Sequence, residues 1–240
     1  MKSIYTILLT AACFALFFSC KHELQIPLSV TGPTPRDTLP VNSTMVCFIS
    51  DVLPIFQTNC TKSGCHNADD HEKDYVFDNY DNIKKGIESK GFRYGKPIED
   101  NEVYKFISTA DPSKIMPPLC DIQLTSTQKN LIKKWIEEGY HNYDCNKPCN
   151  SNSTYSGAVK PLLEKYCTGC HSNCNPDGRI DLTSYDEVRE FIYYPRMGEN
   201  IIYGVITHTP GFKAMPVNSK LSDCQITQIK KWINDGCPNN

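Results

Sequence analysis

The sequence predicts an all-α fold arranged as two tandem helical domains, and three observations carry that expectation. Five stretches recur in the same order in the two halves of the 240-residue chain. Each half closes on a segment with both helix-start and helix-stop signals. Neither half shows the apolar/polar alternation of a half-buried strand. The recurrences pair VLPIFQTNC (52–60) with VKPLLEKYC (159–167), DNYDNIKKG (78–86) with TSYDEVREF (183–191), and NEVYKFIST (101–109) with ENIIYGVIT (199–207). They continue with Ile115-Met116-Pro117 against Ala214-Met215-Pro216, and LTSTQKNLIKKWIEEG (124–139) against LSDCQITQIKKWINDG (221–236). Collinear matches of this kind mark a duplicated unit, which places one domain at 47–145 and a second at 149–240.

The first element of each unit is a short helix. Val52, Ile55 and Phe56, and in the second unit Val159, Leu162 and Leu163, are apolar at helical spacing. Pro54 and Pro161 fall in the first turn, where a missing N–H has no intrahelical partner to lose. The last element is a longer helix with its ends written in. Thr125 with Gln128, and Ser222 with Gln225, fit a capping box. Leu131, Ile132, Trp135 and Ile136 form one apolar stripe, matched by Ile226, Ile229, Trp232 and Ile233. Gly139 and Gly236 suit the left-handed position that ends a helix. The first and last helices of each unit are expected to pack together.

Charge is nearly balanced, with 25 basic and 27 acidic side chains, so a nucleic-acid partner has no electrostatic support. Thirteen cysteines point to an oxidising compartment or to metal or cofactor ligation. Lys2 precedes an apolar run of 15 residues from Ile4 to Phe18, shorter than the roughly 20 residues a spanning helix needs. Residues 1–19 therefore read as a secretory signal. The ending FFSC resembles the lipobox of bacterial lipoproteins, which makes Cys20 the expected acylated N-terminus and membrane anchor. Residues 20–46 contain Pro27, Pro33, Pro35 and Pro40 with little periodicity, as an extended tether would.

Each unit carries two cysteines and a histidine in one order: Cys60, Cys65 and His66, then Cys167, Cys170 and His171. A c-type haem needs this set, because two thiols form thioethers with the vinyl groups and the adjacent imidazole ligates the iron. The gap of four between Cys60 and Cys65 is wider than usual, and the extra residues are expected to bulge out without moving Cys65-His66. Structural zinc would require two further ligands per site, thioredoxin-like chemistry does not use the histidine, and disulfides within each pair leave it unexplained. The sixth ligand should recur at matching positions, as Met116 and Met215 do, each stiffened by a following proline. A thioether favours ferrous iron and suits electron transfer. His208 offers a bis-histidine alternative, but its counterpart is Thr109. His71 and His141 also lack repeated partners and are expected at the surface, and Met197 is expected to be packing.

The PIF or PLL before each Cys-Cys-His, the mid-unit Met-Pro and the final WI-x-x-G helix together resemble the small class I cytochrome c domains of secreted Bacteroidetes-type lipoproteins, over about residues 47–240. The resemblance implies two tandem cytochrome c-like domains, covalent haem c at both sites with His66/Met116 and His171/Met215 as iron ligands, and electron transfer outside the cytoplasm.

Setting aside Cys13, Cys20 and the four attachment cysteines leaves seven: Cys47, Cys120, Cys145, Cys149, Cys174, Cys224 and Cys237. Cys47 with Cys145 would staple the ends of the first unit. Cys149 with Cys224 and Cys174 with Cys237 are the expected bridges of the second, leaving Cys120 free. The expected function is a dihaem electron carrier with redox proteins as partners, anchored in the cell envelope and facing the periplasm or exterior. Two rivals stand beside it. A dihaem peroxidase would need an open sixth position, which the paired methionines oppose, and a non-redox, disulfide-stapled interaction protein would carry no haem.

Overall fold

The computed structural model describes residues 37–39, 44–145, 151–173, 175–176, 179–193, 200–217 and 219–240. The signal segment, the Cys20 anchor, Cys13, Cys149, Cys174 and Met197 lie outside the described residues.

Helices dominate the described chain. The first repeat contributes α1 (Leu53–Asn59), α2 (Tyr80–Ile87), α3 (Glu102–Ser108) and α4 (Ser126–Glu137). The second contributes α5 (Lys160–Tyr166), α6 (Tyr185–Tyr193), α7 (Ile201–Thr207) and α8 (Asp223–Asn234). A π-helical turn, Phe48–Val52 or Tyr155–Val159, leads into α1 and α5. Two short ladders complete it: β1 (Asp37–Leu39) runs parallel to β2 (Tyr143–Cys145), and β3 (His171–Ser172) is antiparallel to β4 (Asn175–Pro176). Part of the stretch expected to be a tether is thus held to the body. Val46 is buried, and its N–H donates to the Glu138 carboxylate at 2.8 Å.

The buried side chains form two clusters, one between Val46 and Tyr140 and one between Tyr155 and Cys237. Each is built around the tryptophan of its last helix. Phe48 lies 5.1 Å from Trp135 and meets Tyr80 edge-on, and Tyr155 lies 5.6 Å from Trp232 and meets Tyr185 edge-on. The hydroxyls of Tyr80 and Tyr185 donate to the carbonyls of Tyr140 and Cys237, just past the two final helices. The indole N–H groups donate to the carbonyls of His141 at 3.0 Å and Pro238 at 2.9 Å.

Both capping boxes form. Gln128 N–H donates to Thr125 Oγ1, Gln225 N–H donates to Ser222 Oγ, and each glutamine oxygen accepts the N–H of its cap residue at 2.8 Å. Gly139 and Gly236 take φ of +95° and +87°, the left-handed conformation that costs glycine least. The side-chain amide of Gln128 also donates to the Glu164 carbonyl of the other repeat, and that of Gln225 to the Tyr166 hydroxyl of its own. Ser222→Ala is expected to lower stability by about 1 kcal/mol, measured by urea denaturation, because an amide N–H at the start of α8 loses its acceptor.

Capping also corrects the register of the third recurrence. The side chains of Asn101 and Asn200 accept from Tyr104 N–H and Tyr203 N–H, so α3 and α7 align Asn101 with Asn200 rather than with Glu199. The one-residue slip arose because two apolar segments can be slid past each other without changing their pattern.

The two repeats touch through their first helices. Thr58 Oγ1 donates to the Lys165 carbonyl at 3.0 Å, and Lys165 Nζ lies 3.7 Å from Asp51. Counting from the first attachment cysteine, Thr58 and Lys165 are equivalent positions.

The expected Cys47–Cys145 bridge is present, with Cα atoms 5.7 Å apart. Cys120 is free and exposed, as expected. Cys237 corrects the expected pairing with Cys174, because its thiol is free and buried against the second cluster. Spacing along the chain left open whether Cys237 faces the loop or the core. Its position after the helix-ending glycine, with its N–H on the Trp232 carbonyl, turns it inward. Cys224 is disulfide-bonded; the expected partner, Cys149, is outside the described residues.

Candidate functional site

In each repeat the first helix ends at a cysteine. The N–H groups of Cys60 and Cys167 donate to the carbonyls of Phe56 and Leu163, both at 2.8 Å. The chain then turns, so that the histidine N–H returns to the carbonyl of the first cysteine: His66 to Cys60 at 3.0 Å and His171 to Cys167 at 2.9 Å. The histidine carbonyls accept in turn from Phe77 and Leu182 N–H, at 2.9 and 3.0 Å. The wider spacing in the first repeat therefore leaves these anchors unchanged.

The extra residues, Lys62 and Ser63, form an ordered bulge. Lys62 Nζ lies 2.8 Å from Asp121 Oδ1 with side chains only 7% and 17% exposed, which ties the bulge to the segment that follows Met116. A poorly solvated ion pair resists opening, since separating it strands a charge away from water. Nothing in the spacing of the cysteines announced this pair.

His66 is half-buried, and its Nδ1 sits 3.1 Å from the Glu72 carbonyl oxygen. A carbonyl only accepts, so Nδ1 carries the proton and the Nε2 lone pair is left for a metal. An outer hydrogen bond of this kind orients a ligating imidazole and raises its basicity. Burial holds the His66 pKa below its usual value, against backbone hydrogen bonds that act the other way, and this favours the neutral ring a metal requires. Tyr75 and Phe77 hold the ring with centroids at 6.1 and 5.0 Å.

The four cysteines of these segments form no disulfide and are half-buried. Burial, reinforced by the neighbouring thiol, pushes Cys60 and Cys167 up to about 12. Such thiols stay protonated at neutral pH and are poor exchange nucleophiles, which weighs against thioredoxin-like chemistry. Among the described residues, no group of three or more His, Cys, Asp or Glu side chains comes together as a structural zinc would require.

Met116 and Met215 are half-buried, and their N–H groups donate to the carbonyls of Phe106 and Val205 at 2.9 and 3.0 Å. Both Met-Pro peptide bonds are cis. A cavity of about 700 Å³ opens in the first repeat, lined by Tyr75, Lys85, Gly86, Lys90 and Phe106 among others. Its volume falls within the usual range for small-molecule and cofactor sites. Tyr75 faces His66 and Phe106 holds the Met116 backbone, so the cavity walls belong to the elements that carry both residues, although neither residue lines it. The donor set and the imidazole protonated at Nδ1 fit a covalently attached haem.

His71 and His141 are exposed, as expected. His208, which the sequence offers as a bis-histidine alternative, is half-buried with its Nε2 enclosed and without a hydrogen-bond partner. Its left-handed backbone at the end of α7 turns the ring inward.

The model of the Planctomycete cytochrome C family matches residues 63–119, a stretch that contains Cys65, His66 and Met116. No curated protein and no solved structure matches the chain. The matched region is a cytochrome c-like domain, and such a domain implies covalently bound haem c.

Proposed function

We propose that, beyond the cytochrome c-like domain of its first repeat, the chain is a dihaem c-type cytochrome that relays single electrons outside the cytoplasm. Each repeat forms one domain, over 47–145 and 149–240, and each attaches one haem. The observation that carries the reading is the repeated backbone geometry: in both halves the histidine N–H returns to the first cysteine carbonyl at 3.0 or 2.9 Å beside two cysteines outside any disulfide. This internal equivalence supports carrying the reading from the family-matched residues 63–119 to the second half.

Bound haem would supply reversible one-electron Fe(III)/Fe(II) cycling. Cys60 and Cys65, and Cys167 and Cys170, would hold the two haems through thioether bonds. His66 and His171 would supply an imidazole nitrogen to the iron, and Met116 and Met215 a thioether sulfur. Glu72, through its carbonyl, keeps the His66 proton on Nδ1. Histidine and methionine ligands together would favour electron transfer over chemistry on a substrate. The partners are redox proteins, and acylated Cys20 holds the domains to a membrane of the cell envelope.

The test is a pyridine haemochrome assay on full-length protein matured in a host with a c-type haem attachment system. Two haems per chain are expected, falling to one in Cys167→Ala/Cys170→Ala. The same preparation should fractionate with membranes and carry a diacylated Cys20 by mass spectrometry. Colourless protein ends the redox reading, and one haem in the unaltered chain ends the dihaem form of it.

A further inference from the structure

The second repeat carries a histidine, His208, where the first has Thr109. His208 closes α7 with φ of +60°, a left-handed conformation uncommon for a residue with a side chain. The turn brings two N–H groups to one acceptor: His208 at 3.3 Å and Met215 at 3.0 Å both donate to the Val205 carbonyl. Residues seven apart in sequence thus share one anchor point. The Nε2 of His208 is enclosed and unpartnered, and native structures rarely leave a buried polar atom in that state without a reason. In the first repeat the same position is Thr109, whose hydroxyl accepts from Asp111 N–H at 3.0 Å in an ordinary turn. A threonine used in this way offers iron nothing, whereas neutral imidazole is an established axial ligand.

We propose that His208 is a reserve axial ligand for the second haem, taking the place of Met215 when the sulfur leaves, and that the first haem has no equivalent. The inference rests on the dihaem reading above. Exchange of thioether for imidazole removes the ligand that favours ferrous iron, so the second centre would move to lower potential while remaining six-coordinate. The first centre, losing Met116, would be left open.

The experiment uses full-length holoprotein, with haem counted first so that failure of the parent reading shows as a missing cofactor. Met116→Leu and Met215→Leu keep side-chain volume nearly constant, and far-UV circular dichroism confirms folding. In Met116→Leu, about half of the haem is expected to become high-spin and to bind carbon monoxide when reduced, as an open axial position would. In Met215→Leu, the methionine-sulfur charge-transfer band of that site should vanish while the haem stays low-spin and closed to carbon monoxide. Adding His208→Ala should then open it. His208→Ala alone should leave the band intact. A Met215→Leu protein as high-spin as Met116→Leu overturns the proposal, and so does a low-spin site that survives loss of both Met215 and His208. A preparation with fewer than two haems overturns the parent reading and this one with it.

Discussion

Trp135→Ala is expected to destabilise the first repeat by about 3–5 kcal/mol, the cost of truncating a large core aromatic. The ring is 1% exposed and lies against Phe48, Phe56 and Tyr140, with centroids 5.1, 6.5 and 6.3 Å away. Its removal also strips the His141 carbonyl of the indole N–H that it accepts at 3.0 Å. Cavity and lost hydrogen bond act on one element, because α4 packs on the turn leading to α1 through this side chain. The chain has two tryptophans, one per repeat, so the variant retains Trp232 as a reporter of the second cluster. Urea denaturation followed by far-UV circular dichroism should show the loss in an early transition, while Trp232 fluorescence changes later. A shift below about 1 kcal/mol would mean that the tryptophan is not the keystone of its cluster.

Gly169→Val is expected to part the two repeats. A Cβ at position 169 would overlap the carbonyl oxygen and the side chain of Thr58 in the other repeat. The carbonyl belongs to the last turn of α1 and cannot swing aside as a flexible side chain would. The chains must separate there, with loss of the hydrogen bond from Thr58 to the Lys165 carbonyl and of the contact from Cys170 Sγ to the Thr58 carbonyl at 3.9 Å. Overpacking of this kind costs about 1–3 kcal/mol. Because the damage lies between the repeats, each cluster should keep its own stability while their unfolding becomes less coupled. Variants with Trp135→Phe or Trp232→Phe report one repeat each. Adding Gly169→Val should widen the gap between their urea midpoints, and unchanged midpoints would show that this contact does not couple the repeats.

Much of the helical scaffold and of the candidate site was legible before any coordinates. The two capping boxes could be read because all their groups lie within three residues, and local hydrogen-bond chemistry does not wait for the fold. The tryptophan stripes were legible for the same reason, since 3.6-residue periodicity selects the buried face of a helix. Asn101 and Asn200 were misaligned by one residue because their role as caps shows only when the helix starts are known. Cys237 is expected to bridge to Cys174, and the helix-ending turn buries its free thiol instead.

By itself the sequence determined an all-helical fold, an internal repeat and two Cys-Cys-His segments, all properties of residue type and short spacing. Tertiary structure decided the rest: the Glu72 carbonyl on His66, the Lys62–Asp121 pair that holds the bulge, the close passage of Gly169 over Thr58, and the enclosure of His208. The last three depend on which surfaces and turns meet in space. A linear pattern of polar and apolar residues states what must be buried but not what it is buried against, and the partner sets the proton on a ring nitrogen, the strength of an ion pair and the room beside a backbone.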